Sequence, residues 1–166
     1  MRIRVLIFLS LVIFLLCGCE SKTTPVRVNL NSISFSADIT YYNESYSCDC
    51  AITKTGDLTV NITSPENLKD LSFAFSGETC KIMYAGMSVS CDEHFLPEAS
   101  AVRVMSDILK KYDASECEKN ERNLVINGTV DGKKFTLSVS PTGLPISLQT
   151  PDLGMTVNFK NVTLIK

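Results

Sequence analysis

The chain has 166 residues, 45% of them hydrophobic, which is length and apolar content enough for one folded domain with a single core. Its 16 Lys and Arg against 18 Asp and Glu leave a formal charge of −2, with no basic run or patch, and this excludes nucleic acid as a partner.

The first twenty residues carry an address. Met1-Arg2-Ile3-Arg4 is short and basic, Val5 to Leu16 is apolar apart from Ser10, and the run closes on Leu16-Cys17-Gly18-Cys19. With small Gly18 directly before Cys19, this pattern resembles the lipobox of bacterial lipoproteins, which are cut before a cysteine whose sulfur carries lipid. A membrane span needs about 20 apolar residues, and this run is shorter before Glu20 and Ser21-Lys22 interrupt it. Cys17 follows the bulky Leu16 and fits the cleavage site less well. The resemblance implies a signal peptide over 1–18, palmitate or another acyl lipid on Cys19, and an extracytoplasmic protein held to the cell membrane by that lipid. Residues 19–31 contain ESKTTPVRVNLN, polar with one proline and no periodicity, and are expected to be a tether to the body at 32–166.

The body is expected to be mostly strands. From Ile33 to Tyr42 apolar and polar residues alternate, placing Phe35, Ala37, Ile39 and Tyr41 on one face. A turn at Asn43-Glu44 predicts that Tyr46, Cys48, Cys50 and Ile52 return opposite Tyr41, Ile39, Ala37 and Phe35. Leu58, Val60 and Ile62 continue the pattern until Pro65 ends the strand. After Leu71 to Phe75, a two-residue turn at Ala85-Gly86 pairs Tyr84 with Met87, Ile82 with Val89 and Cys80 with Cys91. Cα atoms so opposed lie about 4.5–5.5 Å apart, within the range a disulfide accepts, so Cys80 and Cys91 are a candidate bridge. Two free thiols are the other reading, because the pair falls on a wide, hydrogen-bonded position.

Leu96-Pro97 is expected to open a helix, with Ala101, Val104, Met105, Ile108, Leu109 and Tyr112 forming one apolar stripe. Beyond Cys117, the segments Asn123 to Val130 and Lys133 to Ser140 flank Asp131-Gly132, a hairpin signal that sets Ile126 against Leu137 and Gly128 against Phe135. Turns at Pro141-Thr142-Gly143 and Pro151-Asp152-Leu153-Gly154 separate two closing strands, the last carrying Met155, Val157 and Phe159. Strand-rich halves around one helix give an α+β fold of antiparallel meanders.

The order of elements, the proline-terminated third strand, the Tyr84-Ala85-Gly86-Met87 hairpin, the central helix and the closing run FTLSVSPTGLPISLQTPDLGMTVNF are similar to lipoproteins with the LolA/LolB-like fold. The resemblance covers Ile33 to Phe159. It implies a strongly curved antiparallel sheet, an incomplete β-barrel, with the amphipathic helix on its concave side and an apolar concave surface that takes up acyl chains. That surface would be formed by Phe35, Ile39, Tyr41, Tyr46, Ile82, Val89, Ile126, Phe135, Leu137, Val157 and Phe159. One clear helix is found where the family commonly uses more, which implies a smaller cavity, or none.

No residue pattern carries catalysis. The single histidine, His94, sits in Cys91-Asp92-Glu93-His94 with no nucleophile motif around any serine, and is expected to be a solvated turn residue. Cys48 and Cys50 form C-x-C without the paired C-x-x-C of closed zinc sites, so no metal and no cofactor beyond the lipid on Cys19 is expected. Two functions fit a non-enzyme of this kind. One is a binder of an apolar ligand such as a lipid acyl chain. The other is an envelope interaction or sensor protein with a filled core and a protein partner. A roomy apolar cavity would favour the first, and a packed interior with an exposed apolar patch the second.

Overall fold

The structure, a computed structural model, describes Leu30 and residues 32–98, 100–111, 118–120 and 123–165. The lipobox, most of the tether, Tyr112 and Cys117 lie outside the described residues. Strands β1 (Ile33–Tyr41), β2 (Glu44–Ile52), β3 (Leu58–Ser64), β4 (Ser72–Ser76), β5 (Thr79–Tyr84) and β6 (Met87–Asp92) precede the helix α1 (Ala101–Lys111). Then come β7 (Glu118–Asn120), β8 (Asn123–Val130), β9 (Lys133–Val139), β10 (Pro145–Thr150) and β11 (Met155–Leu164). All eleven form one curved antiparallel sheet in the order β6-β5-β4-β3-β2-β1-β11-β10-β9-β8-β7. The sheet does not close, and β6 and β7 are its borders.

Every neighbouring pair except β1 with β11 is also consecutive in sequence, so turn chemistry sets most of the register. Ala85 and Gly86 take φ 48° and 81°, and Asp131 and Gly132 take 49° and 75°, the left-handed pair whose twist suits a two-residue hairpin. The expected partners follow, with Cys80 opposite Cys91 and Ile126 opposite Leu137. Gly128 faces Phe135, where a Cβ would stand 2.5 Å from the ring, so only glycine leaves room for that phenylalanine to lie across the strand.

The first hairpin corrects its expectation. The turn is Tyr42-Asn43, and Tyr46, Cys48, Cys50 and Ile52 face Ile39, Ala37, Phe35 and Ile33, two residues along from the predicted register. Tyr42 adopts φ 52° in this turn. Its N–H donates to Gly154 O at 3.2 Å, and its ring meets Tyr41 edge-on at 4.7 Å. An even slip keeps each side chain on its intended face.

The inward residues of the strands form one core with Val102, Val104, Met105, Ile108 and Leu109 of α1. Leu30, read from sequence as tether, also joins it, and the described core is contained in residues 30–165. The helix begins at Ala101, four residues later than expected. Pro97 instead sits in a turn closed by Ser100 N–H to Pro97 O at 2.8 Å, and Ser100 O accepts the first helical bond from Val104. Nor is only one stripe of α1 buried. Arg103, Ser106 and Asp107, on its polar side, are buried as well.

Candidate functional site

Period-two alternation gathers Ile39 and Tyr41 of β1, Tyr46 of β2, Ile62 of β3 and Phe73 of β4 on the apolar face near one end of their strands. Leu68 and Leu71 stand beside them, because Leu71 is pinned between β3 and the preceding 3₁₀ turn. Its O accepts from Ile62 N–H and its N–H donates to Leu68 O, each at 2.9 Å. Ser100, Ala101 and Val102 at the start of α1 complete the wall. Together these residues line an apolar cleft of about 260 Å³. Of its lining residues only Tyr41, Tyr46 and Ser100 have polar side chains. Burial, and secondarily neighbouring Tyr42, pushes the Tyr41 phenol above its ordinary range, so it is a neutral hydroxyl there. An amphiphile with an apolar tail fits this chemistry; a charged metabolite does not.

Of the eleven residues placed on the expected ligand surface, Ile39, Tyr41 and Tyr46 line the cleft. Phe35, Ile126, Phe135, Leu137, Val157 and Phe159 are buried in the packed core, with Phe35 and Phe159 in edge-to-face contact at 5.2 Å. Ile82 is half-buried at the margin of the core, and Val89 is 59% exposed on the border strand. Alternation gives the face of each residue. Whether helix, cleft or solvent lies over that face depends on its row and strand.

Cys80 and Cys91 are directly opposed, as expected, and both thiols are free, with Cys91 Sγ toward Cys80 O at 3.6 Å. Burial raises the Cys80 thiol to about 11, so it stands protonated at neutral pH. Cys48 and Cys50 place their sulfurs 3.6 Å apart in the core. The contact with Cys48, reinforced by burial, pushes the Cys50 thiol far above the ordinary range. Among the described residues no group of three or more His, Cys, Asp or Glu is arranged to hold a metal ion.

A buried ionic cluster fastens α1, and the sequence reading missed it. Arg103 donates to Leu96 O at 2.6 Å, lies 3.3 Å from His94 Nδ1, and pairs with Asp107 at 3.7 Å and with Asp131 of the β8–β9 turn at 3.8 Å. About two turns of helix further on, Lys110 reaches Glu93 at 3.0 Å and Gly77 O at 3.1 Å, passing over the Phe75 ring. These contacts tie α1 both to the segment after β6 and to the far half of the sheet. The i,i+4 spacing of Arg103 and Asp107 is visible in the sequence. Their burial is not.

No protein-family model matches the sequence, and no curated protein matches it. Among solved structures the chain is similar to a LolA superfamily protein from Nitrosomonas europaea, at 10% identity and a TM-score of 0.45, covering 85% of this chain and 89% of that one. LprF from Mycobacterium bovis is similar at 13% identity and a TM-score of 0.40, covering 82% of this chain and 90% of that one. PNGF-II is similar at 10% identity and a TM-score of 0.39 over 81% of this chain, which spans only 28% of that longer protein. At these identities and scores the likenesses assign no residue a role.

Breaking a buried pair strands the remaining charge, which costs about 3–5 kcal/mol. Arg103→Met is therefore expected to lower the urea midpoint strongly by removing the cation that faces Asp107 and Asp131, and Arg103→Met with Asp107→Leu to recover part of the loss. Equal midpoints for the single and double variants would show that the two charges do not act as a pair.

Proposed function

We propose that the protein is a membrane-anchored extracytoplasmic lipoprotein, non-catalytic, that holds the acyl chain of a lipid on the concave side of its sheet. The occupied space is the cleft between β1–β4 and the start of α1. The observation that carries this reading is the cleft itself. Seven apolar or aromatic side chains from four strands and the turn before β4, with Ala101 and Val102, line this space, and Tyr41, Tyr46, Leu68, Leu71 and Phe73 among them are only half-buried. An apolar wall of this kind left to water forfeits burial worth about 25 cal/mol per Å², which a ligand tail recovers. The packed remainder leaves room for a single chain rather than a bulky multi-chain lipid.

The anchor is the part of the reading that rests on sequence alone, on Leu16-Cys17-Gly18-Cys19. No helix among the described residues is long and apolar enough to cross a membrane. A diacylglycerol on Cys19 supplies attachment without a span, because two acyl chains anchor stably where one binds only marginally.

Native mass spectrometry of residues 20–166, purified gently from a bacterial host, is expected to show extra mass of a few hundred daltons that denaturation releases and that fragments as lipid. Ala101→Phe, which fills the cleft from the helix, should abolish the extra mass while circular dichroism stays unchanged. Bare mass in the parent protein, or lipid retained by the filled variant, would remove the cleft as the site.

Labelled palmitate fed to cells making the full chain should enter the protein and be lost in Cys19→Ala. Label that persists in that variant would place the lipid elsewhere.

A further inference from the structure

The border strand β6 carries a surface that the cleft does not use. Glu93 N–H donates to Glu78 O at 2.7 Å, and stepping by two residues along that ladder makes Cys91, Val89 and Met87 the positions bonded to β5. The backbone N–H and C=O groups of Ser88, Ser90 and Asp92 therefore point away from the sheet, where no described strand pairs with them. Native sheets guard such borders with charge, proline, a bulge or brevity. β7 at the other border is three residues long and carries Glu118 and Lys119. β6 is six residues long, with Asp92 its one charge, at its end, and with neither proline nor bulge. Its apolar side chains are also uncovered, Met87 at 69% and Val89 at 59% exposure, beside the half-exposed Tyr84.

We infer that β6 is a dimerisation edge, pairing antiparallel with β6 of a second copy of this chain. Pairing about a two-fold axis at Ser90 sets Ser90 against the second copy's Ser90, Ser88 against its Asp92, and Val89 against its Cys91. Three hydrogen-bonded residue pairs then use all the outward groups of Ser88, Ser90 and Asp92 in both copies. No like charges oppose each other, and Val89 and Cys91 return to the same face as their counterparts, so the exposed apolar strips adjoin. A foreign strand would have to bring a matching alternation of its own. The two-fold supplies it from the same six residues.

Sedimentation of residues 20–166, which contain the whole described core, is expected to show a monomer–dimer equilibrium in the micromolar range. Ser90→Pro removes an outward N–H without touching the bonds to β5 and should give a monomer with an unchanged circular dichroism spectrum. Val89→Lys, at a site exposed in the single copy, should do the same if the proline variant folds poorly. The opposed Val89 and Cys91 occupy a non-hydrogen-bonded pair, with Cα atoms about 4.5 Å apart. Val89→Cys should therefore trap the dimer through a disulfide to the second copy's Cys91 under mild oxidation. A protein that stays monomeric at high concentration, or a dimer that both the proline and lysine variants leave intact, overturns the inference.

Discussion

A sheet of eleven strands has one apolar face to cover, and α1, with eleven residues at about 1.5 Å rise each, is only about 16 Å long. Most other features follow from that shortage of cover. Where α1 reaches, side chains such as Met105, Ile108, Leu137, Val157 and Phe75 are buried to the last few per cent and form one core. Just beyond its first turn, the same face is left as a cleft walled by Ile39, Ile62, Leu71 and Phe73. Further out, on the β5–β6 hairpin, the face runs into solvent, and the row Val60, Phe73, Ile82, Val89 passes from fully buried to mostly exposed.

The position of so short a helix matters, and polar contacts fix it at both ends. Arg103 links its first half to Leu96 and Asp131, while Lys110 links its last turn to Glu93 and Gly77. Burying such charges gains little stability over an apolar substitute, whereas removing one partner of a buried pair is costly. Ser106 Oγ, buried on the same helix without a partner among the described residues, shows that packing outweighs at least one unmet hydrogen bond. The helix held by these contacts is the one whose first residues, Ala101 and Val102, wall the cleft.

Much of the chain path was legible because it is a sequence of local hairpins. Ala85-Gly86 and Asp131-Gly132 announce their turns, and the strand partners counted out from them are those observed. Long-range contacts account for what was not legible. The first hairpin turns at Tyr42-Asn43, two residues off the expected register, and Tyr42 there bonds to Gly154, more than a hundred residues along the chain. The Pro97 turn delays the helix, and the burial of Arg103 depends on a loop and a hairpin from opposite halves of the sheet. The ligand surface was read as a face, which alternation reveals. The cleft is a gap over part of that face, set by where a helix stops, and only Ile39, Tyr41 and Tyr46 of the expected residues border it.

The central claim is that one end of the apolar face is open to a lipid tail while the rest is filled. Methyl-resolved NMR of residues 20–166, cleared of bound lipid and titrated with a single-chain fatty acid, tests it directly. The account predicts saturable shifts confined to Ile39, Ile62, Leu68, Leu71 and Val102, with Leu137, Leu148 and Val157 unmoved. Shifts centred on the β8–β11 methyls, or none that saturate, would contradict it.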